Sequence, residues 1–223
     1  MTSALPTIHI VDDDAPFRTA IRRVLEASGY RAVLYDSAEQ LLSELPSGEP
    51  GCILLDVRMP GLSGPQLQEQ LTELGNRLPI LFLTGHGDIP MSVQAIKAGA
   101  EDFLTKPVAR EKLVAAVERA LVRDAQQRAQ DGELDALRTR VSRLTPRETE
   151  VFALVVRGKL NKQIAGELVT AERTIKAHRQ KVMEKCEAQS LAELVRLAER
   201  LGMVAAPEAG IAPKDNSRPA ETS

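Results

Sequence analysis

The sequence predicts two domains: an α/β domain with a doubly wound parallel sheet, and an all-α helix-turn-helix domain joined to it by a helical linker. Strand-like and helix-like patterns alternate five times over the first half of the chain. The runs IHIV, CILL and ILFL are almost continuously apolar, as expected of parallel strands covered on both faces. After about residue 144, capped amphipathic helix patterns replace the strands. Right-handed crossovers favour strand order 2-1-3-4-5.

The composition sets the class of protein. Of 223 residues, 43% are hydrophobic and 27% charged, which suits two domains with real cores. No apolar run approaches about 18 residues, and the start MTSALPTIHI lacks a signal-peptide pattern, so we expect a cytoplasmic protein with no membrane partner. Cys52 and Cys186 are far apart, which disfavours a disulfide or zinc framework. Residues 1–121 hold 11 Lys/Arg against 16 Asp/Glu, whereas residues 144–204 hold 11 against 8, so charge only weakly indicates nucleic-acid binding.

The strands and helices of the first domain are predicted from apolar patterns and from the turn residues between them. Apolar residues recur at helical spacing between Pro16 and Ser28, and Gly29 provides a left-handed stop, so an amphipathic helix is predicted there. Its apolar face consists of Phe17, Ala20, Ile21, Val24 and Leu25. Ser37 and Gln40 form a capping-box pattern before the next helix. The predicted strands are Thr7–Val11, Arg31–Tyr35, Cys52–Leu55, Ile80–Leu83 and Asp102–Thr105, and the predicted helices are Pro16–Ser28, Ser37 to Leu45, Gly64–Leu74, Ile89–Ala98 and Ala109 onward.

Polar residues directly follow four of these strands: Asp12 and Asp13, Asp56, Thr84 and Lys106. Ligands of open α/β sheets bind outside the carboxyl ends of the strands, so these side chains should converge. Three adjacent carboxylates repel unless a cation enters, and Mg²⁺ prefers such oxygen ligands. Asp56 could then attack a phosphoryl group in line, with Lys106 neutralising its oxygens and Thr84 donating a hydrogen bond. A solvated acidic loop is the alternative, but the joint placement at strand ends favours a phosphoryl-receiving site.

The first half contains the segments VDDD (11–14), LLDVRMPGLSG (54–64), LTGHGDIPM (83–91) and AIKAGAEDFLTKP (95–107). With these segments it resembles a response-regulator receiver domain of the FixJ subgroup. The resemblance implies that a cognate histidine kinase phosphorylates Asp56. It also implies that Asp12, Asp13, Asp56 and the backbone carbonyl of Arg58 hold Mg²⁺.

The same resemblance assigns a switch. It implies that the Thr84 hydroxyl and the Phe103 ring move together on phosphorylation, and that Lys106 contacts the phosphoryl oxygen. A cis peptide is implied before Pro107, where X-Pro bonds adopt cis easily. Val108 stands where the subgroup usually has Phe, which affects the packing beside that turn.

The second domain is predicted from helix caps. Thr145 with Glu148, and Ser190 with Glu193, mark two helix starts. Two of the four predicted helices are joined by a tight turn, which suits a helix-turn-helix. The helices are predicted from Pro146 to about Gly158, from Lys162 to Leu168 with Asn161 as N-cap, from Glu172 to Lys185, and from Leu191 to Leu201.

The helix after the turn has a candidate DNA-binding face. If Ile175 and Val182 face the core, the side chains between them face outward. A solvated charged face is the alternative, and it is the usual role of such residues. We expect Lys176, Ala177, Gln180 and Lys181 to meet base edges, and Thr174, Arg179, Asn161 and Lys162 to meet phosphates.

Segments 144–168 and 172–185 resemble a LuxR/NarL-type DNA-binding domain. Val169 stands where a turn Gly is usual, Ala171 where an N-cap Ser is frequent, and Cys186 where Leu is frequent. The missing cap costs about 1 kcal/mol unless Thr170 substitutes. The resemblance implies that the helix after the turn enters the major groove and that the last helix makes a dimer contact through Leu191, Leu194 and Leu197.

Between the domains, a helix of about 50 Å is possible, since residues 109–143 contain no Pro. Two apolar stripes predict a hinged helix or a marginal coiled coil. The predicted domains are 1–121, a linker at 122–143, 144–204 and a disordered tail at 205–223. The stripes are Leu113, Val117 and Leu121, then Leu134, Leu137, Val141 and Leu144.

Together these features predict a two-component transcription factor. On phosphorylation it would form a homodimer and bind paired half-sites in double-stranded DNA, as an activator that also meets RNA polymerase. One alternative is an aspartyl-phosphate phosphatase, but such enzymes carry a second acid two positions on, where this chain has Arg58. Another alternative is a σ-factor-like or RNA-binding adaptor.

Overall fold

The computed structural model describes residues 5–44, 48–85 and 95–204. The chain divides into two units, Met1–Gln130 and Asp131–Ser223, and each is described by itself. Among the described residues, no helix is both long and apolar enough to cross a membrane. The predicted tail at 205–223 lies outside the described residues.

The first unit contains the predicted parallel sheet in the order β2-β1-β3-β4-β5. Val11 pairs with Tyr35 on one side and with Leu55 on the other, so β1 and its neighbours end level with one another. Asp56 and Thr84 are the last residues of their strands rather than the residues after them, because the ladder pairs Asp56 with Leu83. The strands are β1 Thr7–Val11, β2 Arg31–Tyr35, β3 Gly51–Asp56, β4 Ile80–Thr84 and β5 Asp102–Thr105.

Helices cover both faces of this sheet. The first begins one residue earlier than predicted, because the side chain of Asp14 caps it. The predicted helix Ile89–Ala98 lies mostly outside the described residues, where only positions 95–97 are seen as helical. The predicted end of the second helix, Leu45, also lies outside the described residues. The described helices are α1 Ala15–Ala27, α2 Ala38–Ser43, α3 Gly64–Glu73 and α4 Arg110–Ser142.

Alternation along the strands divides the core of this unit into two layers. Ile53, Leu55 and Phe82 face one layer, whereas Leu54 and Leu81 face the other. All five are fully buried, as parallel strands between helices should be. The first linker stripe belongs to the second layer, where Leu113 and Val117 are buried and Leu121 packs against them.

The sheet also holds part of the segment predicted as linker. Asp124 of α4 is buried, and its Oδ2 accepts a hydrogen bond of 3.1 Å from the Gly51 N–H at the start of β3. Arg128 donates to the same Oδ2 atom at 2.7 Å, to the Gly48 carbonyl at 2.8 Å and to the Glu49 carbonyl. The α4 residues up to Arg128 are therefore structural parts of the first unit.

The second unit is helical, as predicted. Thr145 and Glu148 form the expected capping box, and Ser190 caps the last helix. The predicted cap at Asn161 is wrong: the helix begins at Asn161, and the N–H of its N-cap Leu160 donates to Gln163 Oε1 at 2.8 Å. The helices after α4 are α5 Pro146–Val155, α6 Asn161–Glu167, α7 Glu172–Lys185 and α8 Leu191–Arg200.

The turn between α6 and α7 keeps its glycine-type geometry without a glycine. The Thr170 N–H donates to the Ala165 carbonyl at 3.0 Å, and the Val169 N–H donates to the Gly166 carbonyl at 3.4 Å. Val169 has φ +48°, a left-handed conformation that costs about 1–2 kcal/mol for an L-residue with a side chain. Ala171 makes no side-chain cap bond. The two sequence departures at this turn are thus both destabilising.

The core of the second unit uses residues that were predicted to face other protomers. Leu137, Val141 and Leu144 of the second stripe pack against this core, which leaves less apolar surface for a coiled coil than the heptad pattern indicated. Leu194 is 0% exposed and Leu197 6%, so two of the three predicted dimer residues are core residues. The helical spacing of Leu194 and Leu197 predicted that both are buried, but it did not show whether they pack against their own unit or against a second protomer. Leu191, 39% exposed, is the one of the three on the surface.

Candidate functional site

Three carboxylates meet at the carboxyl edge of the sheet. Asp12 and Asp13 follow β1, and Asp56 ends the neighbouring strand β3. One ligand atom of each lies within 4.8 Å of the others. Asp12 and Asp56 are buried whereas Asp13 is exposed. The adjacency of the two strands therefore brings together the acids that the sequence predicted.

The Lys106 ammonium joins this cluster directly. Its Nζ lies 2.5 Å from Asp12 Oδ2 and 2.9 Å from Asp56 Oδ1. Burial acts to lower the pKa of Lys106, but hydrogen bonds to the two carboxylates outweigh it and the pKa is raised. Burial also raises the pKa of Asp12, and the bond from Lys106 opposes that effect. The sequence predicted a metal ion that offsets the repulsion among the three carboxylates. In the structure, the Lys106 ammonium already offsets part of that repulsion. The Lys106–Pro107 peptide is cis.

The carboxylate oxygens of the three aspartates suit a hard cation. The Asp14 N–H donates to Asp12 Oδ1 at 3.0 Å, and the Arg58 N–H donates to Asp56 Oδ2 at 3.2 Å. These bonds orient both buried carboxylates, while Asp13 stays open to solvent. Such a set fits Mg²⁺, which takes a few carboxylate oxygens and keeps water or phosphate oxygens at its other positions. The carbonyl of Arg58 remains a predicted ligand.

Thr84 and Phe103 lie on neighbouring strands beside the cluster. Thr84 is buried at the end of β4, and its carbonyl accepts a hydrogen bond of 2.6 Å from the Lys106 N–H. Phe103 is partly buried, with its ring centroid 6.1 Å from that of Phe82. A partly buried ring on β5, the strand that pairs with the one ending at Thr84, is compatible with the predicted switch, which stays a prediction.

Sequence reasoning missed three residues around the site. The Phe17 ring, read as an ordinary core residue, lies 4.2 Å from Lys106 Nζ. The Arg18 guanidinium donates to the Asp12 carbonyl. Gly64 leaves no room for a side chain, since a Cβ atom there would lie 2.4 Å from the Asp56 carbonyl oxygen. The position of Phe17 and Arg18 in the first turn after the acidic run was the available signal.

The second unit carries a polar helix face. Ile175 and Val182 are fully buried, which turns the opposite face of α7 outward as expected. Asn161, freed from capping, accepts a hydrogen bond of 3.2 Å from the Arg179 guanidinium and so ties α6 to α7. Of the predicted DNA contacts, Lys162, Lys176, Ala177, Gln180 and Lys181 are exposed, whereas Asn161, Thr174 and Arg179 are half-buried.

A partly buried ion pair joins α5 to the last turn of α7. Glu148 Oε2 lies 2.6 Å from Lys185 Nζ and accepts a hydrogen bond of 2.8 Å from the Thr145 N–H. The bond from Lys185, together with that from Thr145, lowers the pKa of Glu148 to about 2. Glu148 thus caps α5 and holds the last turn of α7 at the same time.

Comparison with known proteins agrees with this architecture. Residues 8–118 match the response regulator receiver domain, and residues 142–198 match the bacterial regulatory proteins of the luxR family. The chain is 43% identical over 201 residues to the response regulator protein TodT of Pseudomonas putida, covering 90% of this chain and 88% of that one. It is 42% identical over 198 residues to the transcriptional regulatory protein FixJ of Bradyrhizobium diazoefficiens, covering 88% and 96%.

A solved structure is similar to this chain over most of its length. The response regulator StyR superposes with a TM-score of 0.78 at 46% identity, over 88% of this chain and all of that one. The chain therefore belongs to the two-component response regulators, and it is a transcriptional regulator that joins a receiver domain to a LuxR-type DNA-binding domain.

Proposed function

We propose that a histidine kinase phosphorylates Asp56 and that this modification drives dimerisation and promoter binding, with activation of transcription as the outcome. The observation that carries the proposal is the contact of Asp56 with Lys106 inside the cluster of Asp12 and Asp13. Asp12 shares the contact with Lys106 and also accepts a backbone hydrogen bond, but of the three aspartates only Asp56 is itself the last residue of a central strand. Activation rather than repression follows the resemblance to the FixJ subgroup.

The proposed transfer is an in-line displacement. A carboxylate oxygen of Asp56 bonds to the phosphorus of the donor phosphohistidine, while the phosphorus–nitrogen bond breaks and the imidazole leaves with the electron pair. In this proposal, Lys106 neutralises the phosphoryl oxygens, and the Thr84 hydroxyl donates a hydrogen bond to one of them. When bound by Asp12, Asp13, Asp56 and the Arg58 carbonyl, Mg²⁺ supplies further charge neutralisation.

Phosphorylation would act on the DNA-binding domain by shifting the populations of receiver conformations, and the phosphoryl group itself would not contact DNA. In the proposal, the Thr84 hydroxyl turns to the phosphoryl group and the Phe103 ring turns inward, which favours a receiver surface that dimerises. Residues 91–106 would form that surface, and 91–94 of them lie outside the described residues. Leu191 on α8 is the proposed apolar contact between DNA-bound protomers.

The outward face of α7 would then read promoter DNA. Lys176, Gln180 and Lys181 are exposed and can meet base edges, with Ala177 beside them for a thymine methyl group. In the free protein, Gln180 donates to Glu184 at 2.9 Å, a contact that DNA would have to replace. Phosphate contacts would come from Thr174, Arg179, Asn161 and Lys162.

Asp56→Asn tests the proposal, and Asp36→Asn is a matched control because Asp36 is exposed and follows β2 at the same sheet edge. Promoter fragments are first selected from genomic DNA with the native chain, in the presence and absence of acetyl phosphate and Mg²⁺. We expect acetyl phosphate to raise DNA affinity and dimer content for the native chain and for Asp36→Asn, but not for Asp56→Asn. A gain in affinity by Asp56→Asn would mean that the acceptor is another residue.

A further inference from the structure

The Lys106 ammonium has a third neighbour besides its two carboxylates. Its Nζ lies 4.2 Å from the ring centroid of Phe17, inside the range of about 6 Å over which an aromatic quadrupole attracts a cation. A lysine side chain is long and flexible, so each contact at its end restricts where the charge lies. We propose that Phe17 is a positioning residue for phosphoryl transfer, whose ring holds the Lys106 ammonium between Asp12 and Asp56. This inference rests on the proposed function.

Phe17 is held in place by the acidic run itself. Asp14, the third aspartate of the run, is the N-cap of α1, and its Oδ1 accepts a hydrogen bond of 3.1 Å from the Phe17 N–H. The next residue, Arg18, donates its guanidinium to the carbonyl of Asp12. The Phe17 ring also packs against the core layer below α1. The first turn of α1 is thus fastened to the strand end that carries the carboxylates.

The ring has a specific use during the transfer. Phosphorylation moves negative charge from the Asp56 carboxylate to the phosphoryl oxygens, so Lys106 must follow that charge to stay paired with it. A hydrogen-bond acceptor demands a narrow geometry, whereas a ring face attracts the cation over a wider range of positions. Phe17 therefore restrains the ammonium both before and after the group arrives. Asp14, which the metal site does not use, acts by fixing Phe17.

The test measures the rate constant for phosphorylation of full-length chains by acetyl phosphate with Mg²⁺. Phe17→Leu keeps apolar bulk but removes the ring face, and Phe17→Tyr keeps both. We expect Phe17→Leu to slow phosphorylation by about 2-fold to 30-fold, the range of a cation–π contact. The Mg²⁺ concentration for half-maximal rate should not change, and Phe17→Tyr should restore the native rate. Phe17→Met, with the same expected loss, replaces the leucine variant if that variant does not fold.

Val24→Ala is the control, because Val24 lies on the same helix and packs against the same core layer, two turns from Phe17. It should be phosphorylated at the native rate. The inference is overturned if Phe17→Leu reacts as fast as the native chain, if Phe17→Tyr is as slow as Phe17→Leu, or if Val24→Ala is equally impaired. Native protein that takes up no phosphoryl group at Asp56 would instead refute the proposed function, so the two failures are distinct.

Discussion

Removing the Asp124 carboxylate should destabilise the receiver domain although Asp124 lies far along the chain from the phosphoacceptor. Asp124→Ala leaves the buried Gly51 N–H without its acceptor, a loss of about 1–3 kcal/mol. It also breaks the pair with Arg128, whose side chain is 35% exposed, so that loss is only about 0.5 kcal/mol. Arg128 keeps its bonds to the carbonyls of Gly48 and Glu49. We therefore expect the free energy of unfolding to fall by about 1.5–3.5 kcal/mol.

Urea denaturation followed by tyrosine fluorescence can measure this change within the receiver domain. The chain has two tyrosines, Tyr30 and Tyr35, and no tryptophan, so the signal reports the first unit alone. Asp124→Asn keeps an acceptor for Gly51 and should cost less than half as much as the alanine variant. Gln126→Ala, at an exposed position of the same helix, should cost almost nothing. If Asp124→Ala unfolds at the same urea concentration as Gln126→Ala, the hydrogen bond to Gly51 does not stabilise the domain as reasoned.

Two further predictions concern the DNA-binding domain. Val169→Gly relieves a left-handed residue that is 91% exposed, and it should stabilise this domain by about 0.5–1 kcal/mol after the entropy lost by glycine. Amide hydrogen exchange in α5 to α7 should slow, and a Val169→Ala variant that slows exchange as much would contradict the reasoning. The pKa of Glu148 is lowered from 4.5 to about 2 on folding, so its ion pair with Lys185 stabilises the fold above pH 4.5 and is lost as the pH falls towards 2. Urea denaturation by circular dichroism should therefore show Glu148→Gln as less stable than the native chain at pH 7, with a difference that shrinks below pH 4.5; a constant difference would exclude this linkage.

The sheet and its site could be predicted because strand ends are a strong signal. A strand buried on both faces has a short apolar run, and the first polar residue after it marks the edge of the sheet. Asp12, Asp56, Thr84 and Lys106 were found in this way, each within one residue of where the structure places it. The chain belongs to a family of regulators that join a receiver domain to a DNA-binding domain, and this excludes the alternative that it is an aspartyl-phosphate phosphatase.

Helix periodicity carried less information, because it reports burial without identifying the partner. Leu194 and Leu197 were assigned to a dimer contact, yet they complete the core of their own unit. Asp124 was assigned to a polar linker, since nothing in its neighbourhood signals a hydrogen bond to Gly51, 73 residues away. Phe17 was read as a core residue for the same reason: an apolar spacing cannot show that a lysine from another strand end lies over the ring.

The bridge from Lys106 to Asp12 and Asp56 separates folding from signalling. The Lys106 ammonium is a counter-ion for the carboxylates at this edge of the sheet, so the domain can fold without a divalent ion from solution. Under the proposed function, magnesium would then be needed for phosphoryl transfer and not for folding. A regulator built in this way can stay folded through swings in free ion concentration and still be ready to accept a signal when the ion returns.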